Sequence, residues 1–312
     1  MVMPTKTILD YVGNTPLVEL ARMSPKPGVR IFAKLEGHNP TGSIKDRVAL
    51  YLVREAEERG ALAPGSTLIE ASTGNTALAL ALIAKQRGYG LKVVMLRRTT
   101  PGMAQLLETF GAEVVWSEPI AGMKGAIEMA ERLSREEGLF NTRQFESAAN
   151  LQAHYDTTGP EILDALPRVD AFVAGIGTGG TLMGVGRRLR ERNLATRIVG
   201  VESKMGEQLQ GLRNLQEGYV PPLLDLDMLN GRFLIDTDEA FRCARSVLES
   251  EGIFAGVSSG AVLSCAQRVA QRMDEGNIVV IFADGGWKYL SAGPWREEMD
   301  ARKLDPDETA WW

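Results

Sequence analysis

Apolar residues along the chain fall into two alternating textures. One is short, dense runs rich in Val, Ile and Leu; the other is longer stretches in which apolar positions recur every three or four residues. The dense runs, at 30–35, 67–70, 91–96, 113–116, 171–174, 197–201 and 277–283, predict β-strands buried on both faces. Helical periodicity follows most of them. Between 44 and 59, Ala49, Leu52, Val53 and Ala56 share one face of a predicted helix with Ser43 as its N-cap, and 123–137 predicts another. Short β-branched strands alternating with amphipathic helices predict an α/β chain of doubly wound, mostly parallel sheets. No repeat, low-complexity tract or Gly/Ser linker divides it, and 140–150 is the candidate boundary.

Three times an apolar strand runs through a loop of Gly with Ser or Thr into an apolar helix, at 67–84, 171–189 and 254–270. In open α/β sheets such loops lie at the C-terminal strand ends, where ligands bind. Their backbone N–H groups, hydroxyls and helix dipoles suit anions, although Gly and Ser also serve tight turns that bind nothing. Gly175, Gly177 and Gly180 spell G-x-G-x-x-G, and Glu202 stands near the spacing of a ribose-binding acid, so a nicotinamide oxidoreductase is one reading. The hydroxyls of Thr178 and Thr181 tilt the same loop toward a terminal phosphate dianion.

Composition narrows the classes. The 312 residues carry 35 Lys+Arg against 40 Asp+Glu, a formal net charge of −5, with no basic block to meet a nucleic acid. Two cysteines, Cys243 and Cys265, read as reduced core thiols. Two histidines, His38 and His154, lie far apart, and no cluster has metal-ligand spacing, so no metal is expected. No apolar run spans a bilayer and no signal peptide is visible. The expectation is a cytoplasmic enzyme.

Lys45 is the residue that chooses between chemistries. The text Asn39-Pro40-Thr41-Gly42-Ser43-Ile44-Lys45-Asp46-Arg47 breaks a strand, turns and opens a helix. A lysine in the first helical turn opposes the macrodipole, which eases loss of its proton to give a nucleophilic amine; a lone lysine there can equally be a solvated surface residue.

That text resembles the pyridoxal-phosphate lysine motif of the cysteine synthases, within the fold-type-II, tryptophan-synthase-β-like enzymes. The resemblance runs from Gly13-Asn14-Thr15-Pro16-Leu17, through Lys34-x-Glu36 and Pro40-Thr41-x-Ser43-Ile44-Lys45-x-Arg47, to Gly252–Gly260 and Lys288-Tyr289-Leu290-Ser291. It implies a large cofactor-binding domain of 1–38 plus 150–312 and a smaller domain of 39–149. It implies pyridoxal 5'-phosphate attached to Lys45, its ring hydroxyl at Asn75, its phosphate on Gly177, Thr178, Gly179, Gly180 and Thr181, and its pyridine nitrogen at Ser258. The substrate carboxylate would sit on Ser72, Thr73, Gly74 and Thr76, assisted by Gln144. A neutral hydroxyl at Ser258 makes the ring a weaker electron sink than a carboxylate would, which favours β-elimination over transamination and racemisation.

The implied reaction is β-replacement on O-acetyl-L-serine or O-phospho-L-serine by a sulfur nucleophile, sulfide or thiosulfate, to give L-cysteine. A serine/threonine dehydratase or a cystathionine β-synthase-like enzyme is the alternative within the same chemistry. The stretches at 211–221 and 284–291 resemble the actinobacterial B-type branch, which implies O-phosphoserine, a thiocarboxylated sulfur-carrier protein as donor, and Arg213 on the substrate phosphate. A homodimer is expected. Two departures stand out: Ser72-Thr73 replaces the usual Thr-Ser, and Glu146-Ser147-Ala148 interrupts the family's Asn-Pro after Gln144-Phe145. The terminal Trp311-Trp312 is expected to cover the cleft or a subunit contact.

Overall fold

The computed structural model describes residues 6–72, 74–97, 101–118, 122–207, 209–217 and 219–292. Thr73 and the tail bearing Trp311 and Trp312 lie outside them. In chain order the elements are β1 (Leu17–Glu19), β2 (Val29–Leu35), α1 (Lys45–Glu58), β3 (Thr67–Ala71), α2 (Asn75–Arg87), β4 (Gly90–Leu96), α3 (Pro101–Thr109), β5 (Glu113–Ser117), α4 (Gly122–Glu137) and β6 (Phe140–Asn141). There follow α5 (Ala148–Ala153), one π-helical turn (His154–Thr158), α6 (Gly159–Ala165), β7 (Ala171–Gly175), α7 (Gly180–Arg192) and β8 (Arg197–Ser203). The last elements are β9 (Gly231–Ile235), α8 (Thr237–Glu251), α9 (Val257–Gln271) and β10 (Gly276–Phe282).

These strands make two sheets. One is four-stranded and parallel, in the order β5-β4-β3-β6; the other is six-stranded, β1-β2-β10-β7-β8-β9, parallel except for β1. All seven expected strands are present. Three more, β1, β6 and β9, were not legible, and all three sit at sheet edges. Strands β1 and β6 are only three and two residues long and β9 alternates half-buried and exposed positions, so none offers a dense apolar run, whereas β5, also at an edge, keeps one in Val114-Val115-Trp116.

Helix α1 departs from its predicted face at one position. Ala49, Val53 and Ala56 pack with Ala77, Leu80 and Ala84 of α2, but Leu52, expected beside them, joins Val48 on the other side against Ala149 of α5. Helix α1 is therefore clasped on two sides, and its first residue is Lys45. Cys243 and Cys265 lie in the core between α8, α9 and the large sheet as free thiols, pushed up to about 12 by burial. Among the described residues no helix is long and apolar enough to cross a membrane, and no group of His, Cys, Asp and Glu has the geometry to hold a metal ion.

Candidate active site

The start of α1 is held by an ion network that the motif residues themselves form. Arg47, fully buried, donates from Nε and Nη2 to the two carboxylate oxygens of Glu36 at 2.7 and 2.9 Å, and from Nη1 and Nη2 to Glu161 of α6 at 2.6 and 2.7 Å. Lys34 donates to Glu161 at 2.6 Å, and the Thr15 hydroxyl to Glu36 at 2.6 Å. Asn39 donates to Glu36, while the backbone N–H groups of Gly13 and Asn14 donate to Asn39 and Glu161. A fully desolvated guanidinium is tolerable only with such complete pairing. The Gly-Asn-Thr-Pro, Lys-x-Glu and Arg47 elements thus aim the helix that carries Lys45 rather than touching a ligand.

One sequence expectation about a helix start is corrected here. The N-cap of α1 is Ile44, and the Ser43 hydroxyl instead accepts the Lys45 N–H at 3.3 Å, because Ser43 is drawn into a β-bridge with Asp284. Gly256 caps α9, which leaves the Ser258 side chain in the first turn and buried. The cause of the shift at Lys45 is also different. Burial lowers its pKa, and the charges of Asp284 and Glu36 oppose that shift.

The predicted residues converge through contacts between loops. Asn75 opens α2; its amide donates to Asp284 at 2.6 Å and its carbonyl accepts from Lys288 at 2.6 Å. The Thr76 hydroxyl donates to Gln144 at 2.7 Å, and Ser72 accepts the Ala77 N–H at 3.3 Å, closing the loop before α2 on itself. Asn150 joins that loop to the one before α7: its amide donates to the Gln144 carbonyl at 2.7 Å and to the Thr178 hydroxyl at 3.0 Å. Gly177 lies against Gly211, and Gly211 against Ser258, so the third loop closes the ring. Glu70, at the end of β3 beneath the Ser72 loop, accepts from the backbone of Ala71 and Gln144 and is pushed up to about 7 by burial.

The glycines of the 177–181 loop are there for close approach. Gly179 adopts φ +86°, and a Cβ on Gly180 would lie 2.0 Å from Asn150 Oδ1. With side chains excluded, backbone N–H groups and two threonine hydroxyls line the start of α7, the donor set a phosphate dianion requires. Lys45 lies half-buried within the field of Asp284, whose Oδ1 is buried and accepts no hydrogen bond among the described residues. An amine with a lowered pKa, a phosphate loop and a neutral hydroxyl at the head of α9 together fit pyridoxal phosphate. Gly180→Ala should displace Asn150 and uncouple the two loops. Pyridoxal-phosphate titration of the variant should show affinity weakened about tenfold.

The dinucleotide reading does not survive. A Cβ on Gly175 would meet Leu212 at 2.3 Å, and one on Gly177 the Gly211 carbonyl at 2.9 Å, so chain occupies the space over the first two glycines. Glu202 is buried and already accepts from Leu215 N–H at 2.8 Å and Arg232 at 2.9 Å, which leaves it no role at a ribose.

Comparison with known proteins points to the same cofactor. The family model for pyridoxal-phosphate dependent enzymes matches residues 8–284. Cysteine synthase B of Pseudomonas aeruginosa is 40% identical over 288 residues, covering 92% of this chain and 96% of that one. That of Escherichia coli is 40% identical over 294 residues, covering 94% and 97%. The chain belongs to the cysteine synthase family of pyridoxal-phosphate dependent enzymes. Its fold is that family's: an O-ureido-L-serine synthase superposes with TM-score 0.89 at 35% identity over 96% of this chain and 99% of that one. An O-acetylserine sulfhydrylase isoform of Entamoeba histolytica superposes with TM-score 0.88 at 31% identity, over 99% and 96%. The cofactor is pyridoxal phosphate.

Sequence reading missed Asp284, Lys288 and Asn150 as members of the site. Asp284 and Lys288 stood inside quoted motif text without a role, and nothing local marks a carboxylate at a strand end as the partner of an asparagine 209 positions earlier. Arg213 is half-buried rather than a solvated loop residue. Its guanidinium lies 4.6 Å from the Phe145 ring centre and 5.0 Å from that of Tyr219.

Proposed function

We propose that this chain is a cysteine synthase, a transferase that replaces the acetate or phosphate of O-acetyl-L-serine or O-phospho-L-serine with a sulfur nucleophile to give L-cysteine. The observation that carries the reading is the Lys45 amine, its pKa lowered by burial, within the field of Asp284, the same carboxylate that holds Asn75 at the head of α2. When bound, pyridoxal phosphate acidifies the substrate Cα–H and lets the Cβ substituent leave. Lys45 would hold the cofactor at rest, then take the Cα proton on Nζ and return it after sulfur has added. Ser72, Thr73, Gly74 and Thr76, with Gln144, would bind the substrate carboxylate; Asn75 would hold the cofactor ring hydroxyl and Gly177–Thr181 its phosphate. Ser258 would offer the ring nitrogen a neutral hydroxyl, so that less charge builds there than beside a carboxylate. Residues 39–149 would act as the smaller, substrate-binding unit against 1–38 and 150–312.

Within this reading O-phosphoserine is the preferred ester. Cation–π contact with Phe145 and Tyr219 holds the Arg213 guanidinium beside the Gln144 segment, and a guanidinium fork matches a phosphate dianion better than a neutral ester. Arg213→Leu should lower kcat/KM for O-phosphoserine 10- to 100-fold and leave O-acetylserine within about threefold, measured by cysteine formation with each ester. Equal losses for both would remove the phosphate assignment. A homodimer and a thiocarboxylated carrier protein as sulfur donor complete the proposal; sedimentation, and cysteine formation with free sulfide against a thiocarboxylated carrier, test them.

A further inference from the structure

Glu70 lies in β3 two positions before Ser72, buried, and the mechanism above does not use it. Its Oε2 accepts from both the Thr142 hydroxyl and the Gln144 N–H, the latter at 3.2 Å, while Oε1 accepts from the Ala71 N–H at 3.0 Å. Arg143, the residue between the first two donors, has φ +48°, a left-handed conformation that residues other than glycine seldom adopt. The carboxylate thus grips the chain on both sides of a strained residue, and such strain persists only where the groups around it hold it in place. A carboxylate this deeply buried is retained for the donors it satisfies.

The strained turn delivers Gln144. The Gln144 side-chain oxygen accepts from the Thr76 hydroxyl at 2.7 Å, and its backbone carbonyl accepts from Asn150 at 2.7 Å. The Gln144 side chain also favours the ionised form of Glu70. An ionised carboxylate only accepts, so with a donating hydroxyl on the other side the carboxamide has one orientation, oxygen toward Thr76 and nitrogen toward Glu70. That nitrogen carries two hydrogens, and one of them remains for an anionic ligand. We propose that Glu70 is a positioning residue for the substrate carboxylate: by holding the 142–144 turn against β3 it fixes Gln144 with an amide hydrogen offered to the site of Ser72, Gly74 and Thr76. This rests on the assignment of that loop and Gln144 as the carboxylate site. Glu70 acts through Gln144 and does not itself touch the substrate.

The test is titration of the loaded enzyme with L-serine, which carries the carboxylate but no ester leaving group, followed by the shift of the visible band. Glu70→Leu should raise the dissociation constant about tenfold, and Glu70→Gln, whose amide oxygen can accept both donors, should restore it to within about threefold. Gln144→Ala should weaken binding to a similar degree, and the double variant should be no worse than Gln144→Ala alone, as two residues acting through one contact require. With the ester substrate, Glu70→Leu should show its loss in KM and keep kcat within about threefold. Two measurements on cofactor-free protein separate positioning from general support. Exchange of the Gln144 backbone amide hydrogen should quicken in Glu70→Leu and not in Glu70→Gln. Affinity for pyridoxal phosphate should stay within about threefold of the parent in both. Equal losses of serine and cofactor affinity, or additive losses in the double variant, overturn the proposal. If Gln144→Ala weakens serine binding while Glu70→Leu does not, the role of Glu70 fails alone. If Gln144→Ala leaves serine binding unchanged, the carboxylate assignment fails and takes this proposal with it. Should Glu70→Leu not fold, Thr142→Val decides, since it removes one donor and keeps the buried carboxylate: serine binding weakened several-fold supports the proposal, and unchanged binding overturns it.

Discussion

Lys45→Ala should yield a folded protein that binds pyridoxal phosphate without covalent attachment, losing the visible absorption band of the parent and at least about 10³-fold in kcat for cysteine formation. Folding should survive because burial penalises the charged amine, so its removal relieves a desolvation cost. Lys45→Arg separates attachment from charge: the guanidinium stays protonated and can neither join the cofactor nor take a proton, so it should be as inactive as alanine. A parent band that persists in Lys45→Ala would remove Lys45 from the chemistry. The field around the amine adds a signed expectation. Asp284 and Glu36 raise the lysine pKa against the larger effect of burial, so Asp284→Asn should let it fall further. The acid limb of the kcat profile, which rises as the base loses its proton, should then move to lower pH.

Arg47→Met should be the most destabilising single change outside the hydrophobic core. It leaves the fully buried Glu36 and the partly buried Glu161 without their shared guanidinium, and breaking one partner of a buried charge network costs about 3–5 kcal/mol. Calorimetry of the loaded enzyme should show Tm lower by on the order of 10 °C. The pH dependence has a definite sign. Burial alone would raise the Glu161 pKa, but the hydrogen bonds and charges of Arg47 and Lys34 outweigh it and hold the group down to about 2, against an ordinary value of 4.5. A carboxylate whose pKa is lower folded than unfolded stabilises the fold above pH 4.5, and that contribution is lost as pH falls toward about 2. The Arg47→Met variant should therefore lose less stability than the parent across that acid window. Parallel acid limbs would show that the network does not couple to Glu161. Because the network aims α1, the variant should also lose cofactor affinity even though Arg47 lies outside the proposed ligand contacts.

The comparison of sequence with structure divides along a physical line. The alternation of dense apolar runs with helical periodicity, the glycine-rich strand-to-helix turns and the text around Lys45 were enough to specify an α/β chain of mostly parallel strands, seven of its strands and, through the resemblance, the pyridoxal-phosphate cofactor. Those features are encoded locally: a strand buried on both faces must be apolar throughout, a helix clasped on two sides must repeat its small residues, and a loop that carries an anion must expose its amides. Strands β1 and β6 escaped because three and two residues show no periodicity, and β9 because its positions alternate between half-buried and exposed; β5, also at an edge, kept its apolar run and was legible.

What the tertiary structure alone decided is partnership. Arg47 is paired with Glu161, 114 positions away; Asn75 meets Asp284 and Lys288, more than 200 positions away; and Thr181 meets His154 across a glycine-lined contact. No local pattern encodes which distant charge or hydroxyl completes a buried polar group, because the requirement is only that some partner of the right polarity arrive there. The sequence by itself determined most of the elements and, through the resemblance, the cofactor. The packing of the two sheets' loops determined which residues surround Lys45 and pair its neighbours, since desolvation makes each buried polar group's energy depend on the groups folding brings beside it.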